Sequence, residues 1–308
     1  MRKGVPAPAP TTVNERRLYA MGLRLCSTAL MASMGALIKA VSETGVKLPE
    51  IMFWRQAFAI PVILFWAWMT VGIPSLQTHQ FKLHLRRSAM SLVGMTLNFG
   101  SVLLLPLAEA TTISFTVPLF ATILAALLLG ERVGKHRWLA VACGFLGVLV
   151  VTQPGRSPIP LDGALVALGS SFMVALISTQ IRDMAKTEGP VTITFWFSFL
   201  GLFPLSLILP FFSTPLVQTQ WLLLIGIGIL GAAGQMMMTA SLRYAPLSTV
   251  VAMDYSALIW STLIGYIWWD HLPPNSTWVG APIIVASSAY IFWRERRLSI
   301  ERAAETAA

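Results

Sequence analysis

Arg24, Lys39, Arg55 and Asp254 stand in stretches where almost every neighbour is apolar. A charge at the centre of a bilayer costs about 2.5–3.5 kcal/mol on insertion scales, so a residue carrying that cost has a partner or faces a cavity. Asp254 is the sharpest case. It falls eight residues into an apolar run starting at Pro246, with no basic residue adjacent in sequence. That is about 12 Å along a helix rising 1.5 Å per residue. A carboxylate at that depth binds a substrate cation, relays a proton or accepts a hydrogen bond from a neighbouring helix. Arg55, inside the cluster Trp54-Arg55-Gln56, is either a clamp for an anionic group or a snorkelling cation. Lys39 reads first as a snorkelling cation and second as a further anion contact. Glu109 is a candidate partner for either cation. Arg24 and Arg243 read as interfacial anchors.

Uncharged groups complete the candidate set. Asn98 and Gln235 are amides within apolar runs. Such amides hydrogen-bond across helices, worth about 0.6–2 kcal/mol, and either can contact a substrate. Tyr255 is one residue, about 100° of helix, from Asp254. Ser261, seven residues on, falls on nearly the same face. Met236-Met237-Met238 offers an adaptable apolar wall or plain packing. Pro118 interrupts a run and frees backbone carbonyls, giving a hinge, a cavity lining or a packed kink. The candidate substrate-binding residues are therefore Trp54, Arg55, Asn98, Gln235, Asp254 and Tyr255, with Lys39 as an anion contact.

The elements that must position them follow from composition. The chain has 308 residues, 56% hydrophobic and 11% charged, with a mean hydropathy of +0.70. Soluble domains run near a quarter charged. This balance excludes a soluble enzyme, a nucleic-acid binder and a disordered chain. A membrane span needs about 20 apolar residues. Ten windows qualify, near 18–40, 49–71, 88–106, 109–129, 137–152, 161–182, 190–212, 221–241, 246–268 and 276–294. The expected fold is an all-α membrane protein of ten transmembrane helices. Residues 1–15 and 298–308 read as flexible cytoplasmic tails, and no cleaved signal peptide is evident. Cys26 and Cys143 both sit in apolar stretches and read as inert buried thiols.

Charge placement sets orientation. With the N-terminus in the cytoplasm, inside segments hold seventeen Lys and Arg residues, among them Lys82, Arg86, Arg87, Arg132 and Lys135, whereas outside loops hold only Lys47 and Arg156. Both termini are then cytoplasmic, in an inner membrane. The halves also resemble each other. Phe53-Trp54 pairs with Phe195-Trp196, Pro61 with Pro204, and residues 128–131 with residues 267–270. Each half, 16–155 and 156–297, holds five spans, and an odd number forces the second to insert inverted. Inverted repeats characterise secondary transporters, which rock around a midplane site.

Other motifs fail on context. Gly226-Ile-Gly228-Ile-Leu-Gly231 matches a dinucleotide fingerprint by letters, but lies in an apolar run without the strand–turn–helix setting. Close helix packing through Gly226, Gly231 and Gly234 is the expectation. His79, His84, His136 and His271 form no metal-ligand pattern. No cofactor or metal is expected. The partners expected are a small molecule, the lipid bilayer and protons as coupling ion; nucleic acid is not.

Phe53-Trp54-Arg55, Leu107-Ala108-Glu109-Ala110, Gly130-Glu131 with Trp138, the run from Gly144 to Gly155, Ala245-Pro246 and the run from Gly280 to Tyr290 together resemble the drug/metabolite transporter superfamily, in its EamA-type ten-helix members. The resemblance covers roughly residues 15–297 and departs at Asp270-His271, where a Gly-Glu-like ending is commoner. It implies a secondary transporter, not an enzyme, working by alternating access around a central cavity. Export of amino-acid-like or amphipathic compounds is the first expectation. Import of riboflavin-like or S-adenosylmethionine-like molecules is the alternative, and an integral membrane enzyme the more distant rival.

Overall fold

A computed structural model describes residues 13–128, 130, 133–153, 159–184, 187–244 and 253–307, without the side chains of 13–17, 182, 242, 243, 295, 296 and 298–307. The elements are α1 Val13–Glu43, α2 Leu48–Thr70, a 3-10 turn Ile73–Leu76, α3 Phe81–Leu104, α4 Leu107–Ser114 and α5 Val117–Leu128. They continue with α6 Lys135–Thr152, α7 Leu161–Met184, α8 Pro190–Phe212, α9 Gln218–Tyr244, α10 Ser256–Trp269 and α11 Asn275–Ala307. Eight helical segments among the described residues are long and apolar enough to cross a membrane, with α4 and α5 counted together. The other two expected spans are α3, whose first turns carry Lys82, Arg86 and Arg87, and α10, whose described part is 14 residues long. The expected start of that span at Pro246 lies outside the described residues, as do Glu131, the 154–158 loop and the Arg243 side chain.

Helix enters both stretches expected as tails. Helix α1 begins at Val13, and α11 continues through the expected C-terminal tail to Ala307. The segment Ile300-Glu301-Arg302-Ala303-Ala304-Glu305 is rich in strong helix formers, which outweighs its lack of apolar pattern. Cys26 is exposed on the bundle surface and Cys143 half-buried; both are free thiols. An apolar run marks a helix but not which of its sides meets a neighbour.

Two helices are broken near the middle of the bundle. Helix α4 stops at Ser114 and α5 resumes at Val117. The break follows from Pro118, which has no N–H and disfavours α geometry in the residue before it. Hydroxyls of neighbouring helices bond carbonyls at the break. Ser171 donates to Ile113 O at 3.3 Å, and Ser288 donates to Phe115 O at 2.7 Å. The second break is a turn at Tyr255, between Asp254 and α10. The rings of Phe115 and Tyr255 meet edge to face at 5.2 Å. Broken helices at membrane depth are tolerated where they line a cavity.

Small residues draw the remaining helices together. A Cβ on Gly228 would lie 2.4 Å from Phe58 Cβ, and one on Gly231 would lie 2.8 Å from Met34 Sδ. The glycine stripe of α9 is therefore a packing face against α1 and α2, as expected of letters that mimic a nucleotide motif. Gly147 and Gly280 play the same part between α6 and α11, where a Cβ on Gly280 would sit 2.7 Å from Gly147 O. Outward residues such as Leu207 and Phe211 are exposed and apolar.

Candidate functional site

A cavity of about 480 Å³ lies between α1, α3, the α4–α5 break, α7 and the α10 break. One stripe of α1 faces it: Arg24, Ser27, Thr28, Met31, Gly35 and Ile38. Those positions recur at three- and four-residue steps, the single-face period of a helix. Asn98, Phe99 and Val102 of α3 form a second wall, and Ser114, Phe115 and Pro118 border the first break. Opposite stand Ser170 and Ser171 of α7, then Asp254, Tyr255 and Ser261.

The lining combines an apolar body with hydroxyls and one ion pair. Arg24 Nε donates to Asp254 Oδ1 at 2.5 Å and Arg24 Nη2 to Oδ2 at 2.7 Å. Arg24 Nη1 also donates to Met238 O at 3.3 Å. A bidentate guanidinium–carboxylate pair fixes both groups in one plane. Beside it, Thr28 and Ser256 share a hydrogen bond of 2.9 Å. Asn98 Nδ2 donates to Ser170 Oγ at 3.3 Å. The phenol oxygen of Tyr255 is buried with no hydrogen-bond partner among the described residues. Arg24 and Asp254 are the charged residues among those described in the lining, and they cancel.

Of the residues singled out in the sequence, Asp254, Tyr255 and Asn98 come together here. Arg24, read as an anchor, is the omission. Its signal was the polar stripe it heads on α1; its partner lies 230 residues away in sequence. Trp54, Arg55 and Gln235 are not among the lining residues. Trp54 stacks on Phe58 and meets Trp221 edge to face at 4.6 Å. Arg55 donates to Gln56 Oε1 at 2.7 Å and lies 5.8 Å from the centre of the Phe197 ring. Gln235 sits on α9, where its carbonyl accepts from Thr239. Lys39 donates to Leu105 O at 2.9 Å in a separate, smaller cavity. Glu109 pairs with His271 rather than with either expected cation. No group of three or more metal-ligating side chains occurs among the described residues.

The sequence profile of the EamA-like transporter family matches twice, over residues 18–153 and 161–293. A riboflavin transporter of Vibrio cholerae is 33% identical over 264 residues, covering 84% of this chain and 88% of that protein. The pseudopaline exporter of Pseudomonas aeruginosa is 26% identical, covering 82% of this chain and 89% of that protein. An S-adenosylmethionine uptake transporter of Rickettsia felis is 25% identical, covering 80% and 84%. A solved crystal structure superposes with a TM-score of 0.61 at 21% identity, covering 91% of this chain and 98% of that one, and shows the same fold. With both halves of the chain matched and relatives that carry small molecules, the protein belongs to the EamA-like transporter family of the drug/metabolite transporter superfamily and is a multi-pass membrane transporter, not an enzyme.

Proposed function

We propose that the chain carries a neutral, flat, amphipathic metabolite of the riboflavin type through the cavity between the two helix breaks. The observation that carries this reading is the internal cancellation of the charge lining the cavity, Arg24 against Asp254. A sulfonium cation or a carboxylate would have to displace one partner and leave the other buried and alone, which costs several kcal/mol. An uncharged ring system with a hydroxylated tail meets neither penalty. The aromatic faces of Phe99, Phe115 and Tyr255 suit a planar ring. The hydroxyls of Ser27, Thr28, Ser114 and Ser170 suit a polyol. A volume of about 480 Å³ is in the range that holds drug-sized ligands. Similarity to riboflavin transporters supports the same choice.

The same reading takes the ten spans as two inverted repeats. Phe115 and Tyr255, the two break residues, are 140 positions apart, the offset at which the halves resemble each other. Helix contacts also recur in exchangeable pairs. The packing of α1 on α9 answers that of α7 on α3, and α2 on α9 answers α8 on α3. The face where α1 begins and α11 ends is cytoplasmic on the basic-residue count, and no nucleotide drives the cycle. Metabolite profiling of cells and medium tests this, comparing the intact protein, Asp254→Asn and an empty vector. A flat neutral metabolite should move only with the intact protein, and its side of accumulation gives the direction. Movement of charged metabolites alone would overturn the substrate class.

A further inference from the structure

A second polar cluster lies directly above the central cavity, on the side away from the chain termini. Ile38 lines the central cavity and Lys39, next to it, lines a smaller one of about 220 Å³. Leu107 lines both, and Gly265 of the smaller cavity is one turn beyond Ser261 on α10. The two cavities are therefore neighbours along α1, α4 and α10. Lys39 lies 5.7 Å over the Trp269 ring, whose indole N–H donates to Glu43 at 2.8 Å.

Glu109, in the first turn of α4, is 0% exposed. One of its oxygens lies 3.3 Å from His271 Nε2. The other is buried with no hydrogen-bond partner among the described residues. His271 is 40% exposed and bridges that carboxyl to the outer surface. That second oxygen is an acceptor without a donor among the described residues, open to a proton or a hydrogen bond. Asp254 offers no such opening, because Arg24 occupies both of its oxygens.

We propose that Glu109 and His271 form the site of a coupling proton, and that its arrival releases the gate over the substrate cavity. The inference rests on the transporter reading above. A proton taken from the outer solution at the His271 ring passes to the Glu109 carboxylate, with no other bond made or broken. Imidazole suits the first step because its two ring nitrogens face different ways, so a proton taken at one can be matched by a proton given from the other. Other charged groups face the pair. Lys39 and Glu43 come from α1, and Asp270 precedes His271. Helix α4 carries no second titratable residue. The titratable side chains of α3 lie at its opposite end, those of α11 begin at Tyr290 in mid-helix, the outer end of α7 adds the exposed Asp162, and the outer end of α10 adds the exposed Tyr266. Neutralising Glu109 weakens its contact with His271, which follows α10, and removes a charge that attracts Lys39 of α1 through space.

Reconstituted vesicles containing riboflavin and an internal pH dye test this. The intact protein should accumulate riboflavin on an acid-outside gradient and carry protons inward. Glu109→Gln and His271→Gln should each keep riboflavin counterflow at equal pH and lose gradient-driven accumulation and proton entry. Counterflow by the intact protein without any response to the gradient would overturn the proton site alone. Unchanged accumulation by Glu109→Gln, or loss of counterflow in both variants, would also overturn it, the latter marking the pair as structural. Absence of counterflow from the intact protein would overturn the riboflavin reading and this inference with it.

Discussion

Removing one member of the Arg24–Asp254 pair is the most informative perturbation. Arg24 makes two short hydrogen bonds to the carboxylate, and the side chains are 9% and 32% exposed. Breaking a buried pair from one side costs about 3–5 kcal/mol, because the remaining charge loses its partner. Asp254 opens partly onto the cavity, so the lower end applies: about 3 kcal/mol, or roughly a hundredfold in the folding equilibrium. Asp254→Asn and Arg24→Met should therefore each lower the melting temperature in detergent. The double variant Arg24→Met/Asp254→Leu removes both charges and should melt well above the sum of its two singles, Arg24→Met and Asp254→Leu, because neither charge is then left without its partner. Transport should remain absent in all three, because the double variant restores packing without the polar floor of the cavity. Single variants that melt and transport like the parent would refute the reasoning. So would a double variant that melts as low as the sum of the singles, since the two residues would then act independently.

Three further outcomes follow from placement. Arg55→Met should leave riboflavin counterflow unchanged, since Arg55 lies outside the cavity lining, and should lower the melting temperature modestly, since the buried Gln56 Oε1 loses its donor. Gly280→Ala should cost about 1–3 kcal/mol of stability by overpacking, because the new Cβ would sit 2.5 Å from Val151 Cγ2; Gly22→Ala, with open space around it, is the control in the same melting assay. Tyr255→Phe should keep the ring contact with Phe115 and the fold, while Tyr255→Ala should raise the riboflavin concentration giving half-maximal counterflow.

Eight apolar helices were legible in the sequence because the physics that selects them is local. About 20 apolar residues suffice to mark a helix crossing a bilayer, and the Pro118 break follows from a missing N–H. Asp254, Tyr255 and Asn98 were legible as cavity residues because polar groups are scarce in such runs. Their partners were not. Arg24 sits near the basic end of α1, where an arginine satisfies orientation alone, and only tertiary packing brings it to a carboxylate from the other half of the chain. Arg55 and Gln235 show the converse. A helical period of 3.6 says which residues share a face, but not which neighbour that face meets; Arg55 meets Phe197 of α8, and Gln235 is absent from the cavity lining. The Glu109–His271 contact joins two segments 162 residues apart, with nothing in either to mark the other.

The most direct measurement of the central claim is riboflavin counterflow in vesicles containing the purified chain or Ser114→Trp, which places a bulky ring in the cavity at the α4–α5 break. Saturable exchange by the parent, abolished in a variant that still melts cooperatively, is the expected result. No saturable exchange by the parent, or exchange by Ser114→Trp at the parent's rate, would contradict it.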